Sequence, residues 1–417
     1  MTVLIAGAGI GGLSLALSLD QLNIPFRIFE AVREIKPLGV GINLQPHAVR
    51  ELYEMGADDG LDLIGLRTEE VAYFSSQGGL IWSEPRGVKA GYKWPQYSIH
   101  RGGLQMHLLR HLQERRGLDV VEMGHAVTGW TDTGDGVEIT LENRSTGESL
   151  GTANGSILVA ADGINSVLRK ALYPDEGPAH WGGTMMWRGV TKGPKFLTGR
   201  SMAMAGEKHR KFVIYPIEDT PEGGSLMNWI ADLTMPEDYN WREQDWNRPG
   251  RLEDFLPEFE DWNFGWLDVP DVIRSAEAIY EFPMVDRNPL PQWSFDKMTL
   301  LGDAAHAMYP IGSNGASQGI IDARILAREL RDKGLNAGAL KSYDDIRREA
   351  VNSLVLRNRG DGPDKILDIV AERAPDGFDD IETVMPLDER QAFADGYKKV
   401  AGMDMETLNN RAPLIAV

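Results

Sequence analysis

The period of the apolar positions changes several times along the chain, and each change marks an element. Val3-Leu4-Ile5-Ala6 is a continuous strand-type run that stops on a glycine-rich turn. Leu13, Ala16, Leu17 and Leu19 then recur at three- and four-residue spacing, which predicts a helix. Phe26-Arg27-Ile28-Phe29 reads as a second strand ending on Glu30, so the chain opens with a βαβ unit of roughly 30 residues. Strands are also expected over Leu118 to Met123, Gly136 to Leu141, Ser156 to Ala161 and Met298 to Leu301. Residues 184–190, 211–217 and 225–232 are β-rich and separated by glycine- and proline-containing turns, which predicts an antiparallel sheet. Helices are expected over about 315–333 and 339–357, and the charged C-terminal residues read as mostly helical.

No internal repeat or low-complexity tract interrupts this order. Nucleotide-type segments alternate with segments of other character, so two subdomains are expected to interleave along the chain. The expected division gives 1–72, 98–178 and 285–350 to a nucleotide-binding domain, 73–97 and 179–284 to a substrate domain, and 351–417 to a C-terminal helical segment.

Composition narrows the function classes. With 42% hydrophobic and 25% charged residues over 417 positions, the chain has the make-up of a globular enzyme with a large core. Its 62 acidic against 43 basic residues leave a formal charge of −19, which repels nucleic acid and anionic membrane surfaces. The absence of cysteine excludes disulfides, thiolate metal sites and a dithiol redox relay, and with the relay any disulfide reductase. No apolar stretch approaches the roughly 20 residues of a membrane span. No basic region precedes the first apolar run, so a signal peptide is not expected and a cytoplasmic enzyme is.

Two glycine-rich turns carry candidate chemistry. In Gly7-x-Gly9-x-x-Gly12, Gly7 permits the tight turn, Gly9 lets backbone approach a pyrophosphate, and Gly12 allows close helix–sheet packing. The helix that follows presents free N–H groups to the phosphates. Glu30 stands 21 residues after Gly9, where a carboxylate accepts hydrogen bonds from a ribose. This motif alone fits NAD or FAD. The second turn, Leu301-Gly302-Asp303-Ala304-Ala305-His306, follows another buried-type strand. Pro310, Gly312 and Gly315 then precede a helix containing Asp322. Asp303 there is placed to bind a ribityl hydroxyl, and the helix start to put N–H donors near a flavin pyrimidine ring. The pair of turns points to FAD.

These residues, with Ala161-Asp162-Gly163-x-x-Ser166-x-x-Arg169, resemble the single-component FAD-dependent aromatic hydroxylases, the group A flavoprotein monooxygenases, over residues 1 to about 350. The resemblance implies a mixed α/β architecture in which a glutathione-reductase-like Rossmann FAD domain interleaves with an antiparallel substrate sheet. It also implies NAD(P)H as a transient reductant and dioxygen as oxidant, with hydroxylation through a flavin C4a-hydroperoxide. Carried over residue by residue, Gly7, Gly9, Gly11, Gly12, Leu13, Glu30 and Ala31 would meet the ADP half of FAD, and Gly41 and Asn43 would lie near the flavin. Arg101 would contact the pyrophosphate or the ribityl chain, Gln105 and Val127 would be further cofactor-binding residues, and Asp162-Gly163 would serve the linkage between FAD and NAD(P)H. Gly302, Asp303, Pro310, Gly312, Gly315 and Ala316 would hold the ribityl chain and flavin edge.

One departure is visible: the family's glycine-glutamine-glycine run after the proline is replaced by Ile311-Gly312-Ser313-Asn314-Gly315-Ala316-Ser317-Gln318. That variant, with Gly39-Val40-Gly41-Ile42-Asn43, Trp82-Ser83-Glu84-Pro85-Arg86-Gly87-Val88, Gln96 to Arg101, Trp187-Arg188-Gly189-Val190 and Pro283 to Arg287, is most similar to the phenazine-hydroxylating branch, 5-methylphenazine-1-carboxylate 1-monooxygenase in type.

The middle of the chain is where a planar aromatic substrate would be read. Trp181, Trp187, Trp229, Trp241, Trp246, Trp262 and Trp266 fall there, seven of 11 tryptophans, each on its own more often packing than ligand contact. Strand alternation puts Lys211 and Tyr215 on one face with Val213, and Asn228 with Leu226 and Ile230, so Lys211, Tyr215 and Asn228 are the polar pocket candidates. His306 reads as structural. His107 and His111 stand four apart on a predicted helix but lack a third ligand, so no metal site is expected. No dedicated catalytic triad is expected, because hydroxylation of this kind depends on binding and on excluding water. The alternatives are an oxidase or reductase of the same fold, and a flavin-binding protein without catalysis. Substrate identity, decarboxylation and the choice between NADH and NADPH remain open in the sequence.

Overall fold

The computed structural model describes residues 1–37, 39–241, 248–360 and 362–415. The first apolar run forms the strand Val3–Ala6 at the middle of a six-stranded sheet in the order Ser294–Phe295, Met298–Leu300, Ile157–Ala160, Val3–Ala6, Phe26–Glu30, Val121–Met123. All pairs are parallel except the short Ser294–Phe295 edge. Parallel strands need both faces covered, which is why Val3–Ala6 and Ile157–Ala160 read as unbroken apolar runs. The helix Ile10–Gln21 is buried almost all round, between this sheet and the helices Arg101–Arg116 and Gly315–Lys333.

The second large sheet has seven strands in the order Ile279–Asp286, His180–Gly193, Ser225–Thr234, Arg210–Asp219, Ser201–Gly206, Glu70–Phe74, Leu80–Pro85. It is antiparallel with one exception: Ser201–Gly206 runs parallel to Glu70–Phe74, a strand that arrives from the other end of the fold. The expected boundaries at 72/73 and 284/285 therefore fall inside Glu70–Phe74 and Ile279–Asp286, which this sheet keeps whole. Two three-stranded sheets complete the β structure: Gly41–Leu44, Gln96–His100 and Gly65–Thr68, and Ser149–Gly155, Val137–Glu142 and Ala126–Asp132. The strand expected from Leu118 begins only at Val121. Gly117 takes a left-handed turn (φ +95°) and Leu118–Val120 coils as a short 3-10 turn with Leu118 exposed.

The seven-stranded sheet separates two cores. On one face Phe74, Trp187, Phe212 and Trp229 pack under the segment carrying Phe255, Phe259 and Trp262, with Trp187 stacked on Phe255 at 4.9 Å. On the other face Val71, Tyr73, Met202, Met204, Tyr215 and Ile230 meet the C-terminal residues Ile366, Val370 and Phe393. Six of the seven mid-chain tryptophans belong to the first core, Trp187, Trp229 and Trp262 inside it and Trp181, Trp241 and Trp266 packed against it. Trp246 lies outside the described residues. The tryptophan cluster is thus packing, on the face turned away from the cavity described below.

Candidate active site

The turn after Val3–Ala6 is built around its glycines. Gly7 adopts φ +102°, and a Cβ there would stand 2.4 Å from the Ala161 carbonyl oxygen. A Cβ on Gly12 would meet the Gly7 carbonyl oxygen at 2.1 Å, and one on Gly11 the Leu301 side chain at 2.7 Å. Over Gly9 there is nothing within 4 Å. The turn is closed on the protein side and open on the ligand side. No side chain caps the helix that starts at Ile10, so its first N–H groups are free for a phosphate. Leu13 lies fully buried in the same helix.

Around this cradle, Glu30 accepts from the Ala8 N–H at 2.8 Å and the Val32 N–H at 3.0 Å, which aims its carboxylate along the turn beside Ala31. Gln105 donates to the Ala8 carbonyl at 2.8 Å. Arg101 begins its helix exposed, against Gly39 and with no acidic partner among the described residues. Val127 is buried in the strand Ala126–Asp132. Asp162 and Gly163 follow Ile157–Ala160, and burial pushes the Asp162 carboxyl up. The residues fit the ADP half of FAD: a free helix start, an open backbone approach, a carboxylate and an unpaired guanidinium.

Sequence reasoning gave Arg169 no role of its own. It is buried, and it donates to the carbonyls of Ala304 at 3.1 Å, Ala305 at 2.8 Å and Asn288 at 2.8 Å while pairing with Glu176. It thereby fixes the short helix Asp303–His306. Asp303 at the start of that helix is exposed and has no partner, free to meet a ribityl hydroxyl. His306 is a structural partner: its Nε2–H donates to Asp322 at 2.5 Å. Pro310 leads into the turn Ile311–Ser313, and the helix Gly315–Lys333 starts at Gly315 and Ala316 without a side-chain cap.

The departure from the family's glycine-rich run has a visible structural result. Gly312 has φ +70°, and a Cβ there would collide with the Tyr397 hydroxyl at 1.8 Å. Ser313 also takes a left-handed φ of +55°. Asn314 is buried and donates to the Gly312 carbonyl at 2.9 Å and to Tyr397 Oη at 3.0 Å, so it braces the turn from within. A left-handed serine costs about 1–2 kcal/mol, partly offset by the chain entropy a glycine would add. Ser313→Gly is therefore expected to gain roughly 0.5–1 kcal/mol, seen as a higher urea midpoint with an unchanged slope.

The three polar candidates from the substrate sheet are engaged elsewhere. Direct pairing of Tyr215 with Asn228 and of Lys211 with Asp232 puts all of them on one face, where the sequence placed them in two sets. Asn228 Oδ1 accepts from the Gly41 N–H at 2.7 Å, while the Tyr215 hydroxyl (2.7 Å) and Arg188 (2.9 Å) donate to the Gly41 carbonyl. A Cβ on Gly41 would stand 2.8 Å from both Asn228 and Tyr215, so the sheet docks there because residue 41 has no side chain. Burial holds the Tyr215 phenol up at about 12, with Arg188 opposing. Asn43, also buried, accepts from Ser98 at 2.7 Å. Lys211 sits between Asp232 (3.3 Å) and Asp364 (2.5 Å), tying the sheet to the C-terminal segment.

The cavity itself lies between the second core face, the turn Ile311–Ser313 and the C-terminal helices. Its space, counted out through the open mouth and including the solvent there, is about 580 Å³. Val71, Tyr73, Met202 and Met204 form the sheet wall, Gly312 and Ser313 one edge, and Ile366, Phe393, Tyr397, Lys398 and Met403 the C-terminal wall. Trp82, Glu84, Arg86, Gln45 and Gln96 add the polar groups. The signal for these in the sequence is the charged pair Glu84 and Arg86 at the end of an otherwise β-type run. His107 and His111 lie away from the cavity, their Nε2 atoms on the carbonyls of Ala57 and Asp59. Among the described residues no group of three or more His, Asp or Glu side chains is arranged to hold a metal, and no helix is long and apolar enough to cross a membrane.

Comparison with known proteins agrees with this arrangement. A family model described as an FAD binding domain matches residues 1–249 and 265–358. The phenazine 1,6-dicarboxylic acid hydroxylase of Lysobacter antibioticus is 43% identical over 86% of this chain and 89% of its own length. The aurachin C monooxygenase/isomerase of Stigmatella aurantiaca is 31% identical over 85% and 87%. Among solved structures, a salicylate hydroxylase substrate complex superposes with a TM-score of 0.74 at 21% identity, covering 100% of this chain and 99% of its own. Klebsiella pneumoniae HpxO complexed with FAD and uric acid gives 0.72 at 23% identity, covering 98% and 96%. These two likenesses speak to the fold, a Rossmann-type FAD domain joined to a mostly antiparallel substrate sheet. With the FAD model matched across most of its length and a hydroxylase 43% identical over 86% of it, the chain belongs to the FAD-dependent aromatic hydroxylases and is a monooxygenase.

Proposed function

We propose that this enzyme uses NAD(P)H and dioxygen to hydroxylate a planar N-heteroaromatic compound of the phenazine kind. The observation that carries the substrate class is the cavity: apolar and aromatic walls from Val71, Tyr73, Met202, Met204 and Phe393, a few polar groups at one end, and Gly312-Ser313 at its edge. The 43% identity to a phenazine dicarboxylate hydroxylase supports the same class. The relatives' hydroxylase and monooxygenase names favour oxygen insertion over an oxidase or reductase.

Bound FAD supplies two-electron reduction by the nicotinamide and the activation of dioxygen. The chain's residues bind, orient and exclude water. Glu30 takes the adenosine ribose, Arg101 and the helix start at Ile10 take the pyrophosphate, and Asp303 takes the ribityl chain. The start of the Gly315–Lys333 helix faces the flavin edge, where its dipole stabilises negative charge. Tyr215, Asn228 and Arg188 act by fixing Gly41 rather than by touching the ring. We assign 1–69, 96–178 and 287–350 to FAD binding and 70–95 and 179–286 to substrate binding, bounds that keep the strands Glu70–Phe74, Gln96–His100 and Ile279–Asp286 whole. The 351–417 segment covers the substrate. We infer a cytoplasmic location, which the proposed use of NAD(P)H supports.

With FAD-loaded protein, phenazine-1-carboxylate is expected to stimulate NAD(P)H oxidation and to yield a product carrying one oxygen-18 atom from labelled dioxygen. Stimulated oxidation that gives only hydrogen peroxide and unlabelled ring compound would assign an oxidase instead.

A further inference from the structure

The polar end of the cavity holds more positive than negative charge. Glu84 is buried between two cations, Arg86 at 2.8 Å and Lys398 at 2.6 Å, the first from the substrate sheet and the second from the C-terminal helix Leu387–Val400. The other acid near Lys398 is Asp395 at 3.6 Å, and at 59% exposure it is screened by water. Arg86 and Lys398 are the only cations lining the cavity among the described residues, so one positive charge there lacks a buried counterpart. Two buried donors beside it, Arg86 Nε and Trp82 Nε1, have no hydrogen-bond partner. Of the other cations of the sheet, Lys211 faces two carboxylates, and Arg188, which donates to the Gly41 carbonyl and also keeps an unpartnered Nε, does not line this cavity.

We propose that Arg86, assisted by Lys398 across the cavity, binds a carboxylate of the substrate, so that the enzyme selects an aromatic acid over the neutral ring. A carboxylate supplies the missing charge and accepts from donors that are otherwise buried and idle, and a guanidinium is the side chain suited to hold it. Glu84 sets the strength of the site, because it competes for both cations. The C-terminal helix becomes part of substrate selection through Lys398. This inference rests on the reading of the cavity as the site of a planar aromatic substrate.

The test uses FAD-loaded enzyme titrated with phenazine-1-carboxylate and with unsubstituted phenazine, followed by the change in flavin absorbance. Arg86→Gln is expected to weaken the acid by roughly 10- to 150-fold, the range for a charged hydrogen bond, and to leave phenazine nearly unchanged. Glu84→Gln has the opposite sign: it frees both cations and tightens the acid, again with little effect on phenazine. Lys398→Gln weakens the acid in the same sense as Arg86→Gln, from a more exposed position that puts folding at less risk. Equal losses for both ligands, or a Glu84→Gln enzyme that binds the acid less tightly, would overturn the assignment and leave the ion pair a structural role. If neither compound perturbs the flavin of the unmutated enzyme or stimulates NAD(P)H oxidation, the phenazine reading itself fails, and this inference with it.

Discussion

Asp322→Ala is expected to lower the unfolding free energy by about 3–5 kcal/mol, the cost of removing one partner from a buried charge cluster. Asp322 is fully buried in the helix Gly315–Lys333. Its Oδ2 accepts from His306 Nε2 at 2.5 Å and the Gly302 N–H at 3.3 Å, and its Oδ1 from Arg347 at 2.7 Å. Arg347 in turn donates to Gln318 at 2.6 Å. One carboxylate therefore ties together the turn that carries Asp303, the helix Gly315–Lys333 and the long helix Ala337–Gly360. Burial raises the Asp322 carboxyl, but His306 and Arg347 together outweigh it and the net shift is downward. A carboxyl depressed in the folded state contributes stability that is fully present above its unfolded value of about 3.9 and is lost as pH falls through the folded one. Urea midpoints measured between pH 7 and pH 3 are thus expected to fall more steeply for the unmutated protein than for Asp322→Ala below pH ~4. Parallel slopes would place the acid lability elsewhere.

The clusters that were legible in the sequence and those that were not differ in a physical way. The FAD half is written in local terms. A strand, a glycine turn and a helix lie within consecutive residues, and Gly12 is demanded by the Gly7 carbonyl of the same turn, although Gly7 and Gly11 face Ala161 and Leu301 from far along the chain. The fold class follows from the same local periods. Long-range partners have no such trace: Asp322 and Arg347 stand 25 residues apart, and Arg169 reaches carbonyls 135 and 136 residues away. Substrate-side residues were harder still. Alternation set Tyr215 and Asn228 on separate faces, whereas direct cross-strand pairing puts them on one, and it could not show that the strand holding Gly41 occupies the space in front of them. The tryptophans drew attention by size, yet large flat side chains serve a core as readily as a pocket, and here the sheet turns them to its other face. The cavity draws its far wall from Phe393, Tyr397 and Lys398, in a segment whose periodicity speaks only of helix.

Asp303→Ala is expected to weaken FAD binding by roughly 10- to 150-fold while the protein still folds, because a charged acceptor bond contributes about 1.5–3 kcal/mol. The competing role for an aspartate in this position is support of the helix start. As a cap it would contribute ~1 kcal/mol to stability, and as a first-turn charge about 0.3–1 kcal/mol. The structure weighs against the cap: Gly302 occupies the cap position, and the Asp303 carboxylate accepts no hydrogen bond among the described residues. What holds the Asp303–His306 turn is instead Arg169 on the carbonyls of Ala304 and Ala305, and Asp322 on His306. Removing the Asp303 side chain breaks none of these. Circular dichroism and the melting temperature of the FAD-free protein are accordingly expected to change little, and gel filtration to separate the variant from its flavin. A variant that retains FAD fully and melts lower would make Asp303 a helix-supporting residue and leave the ribityl chain to other donors.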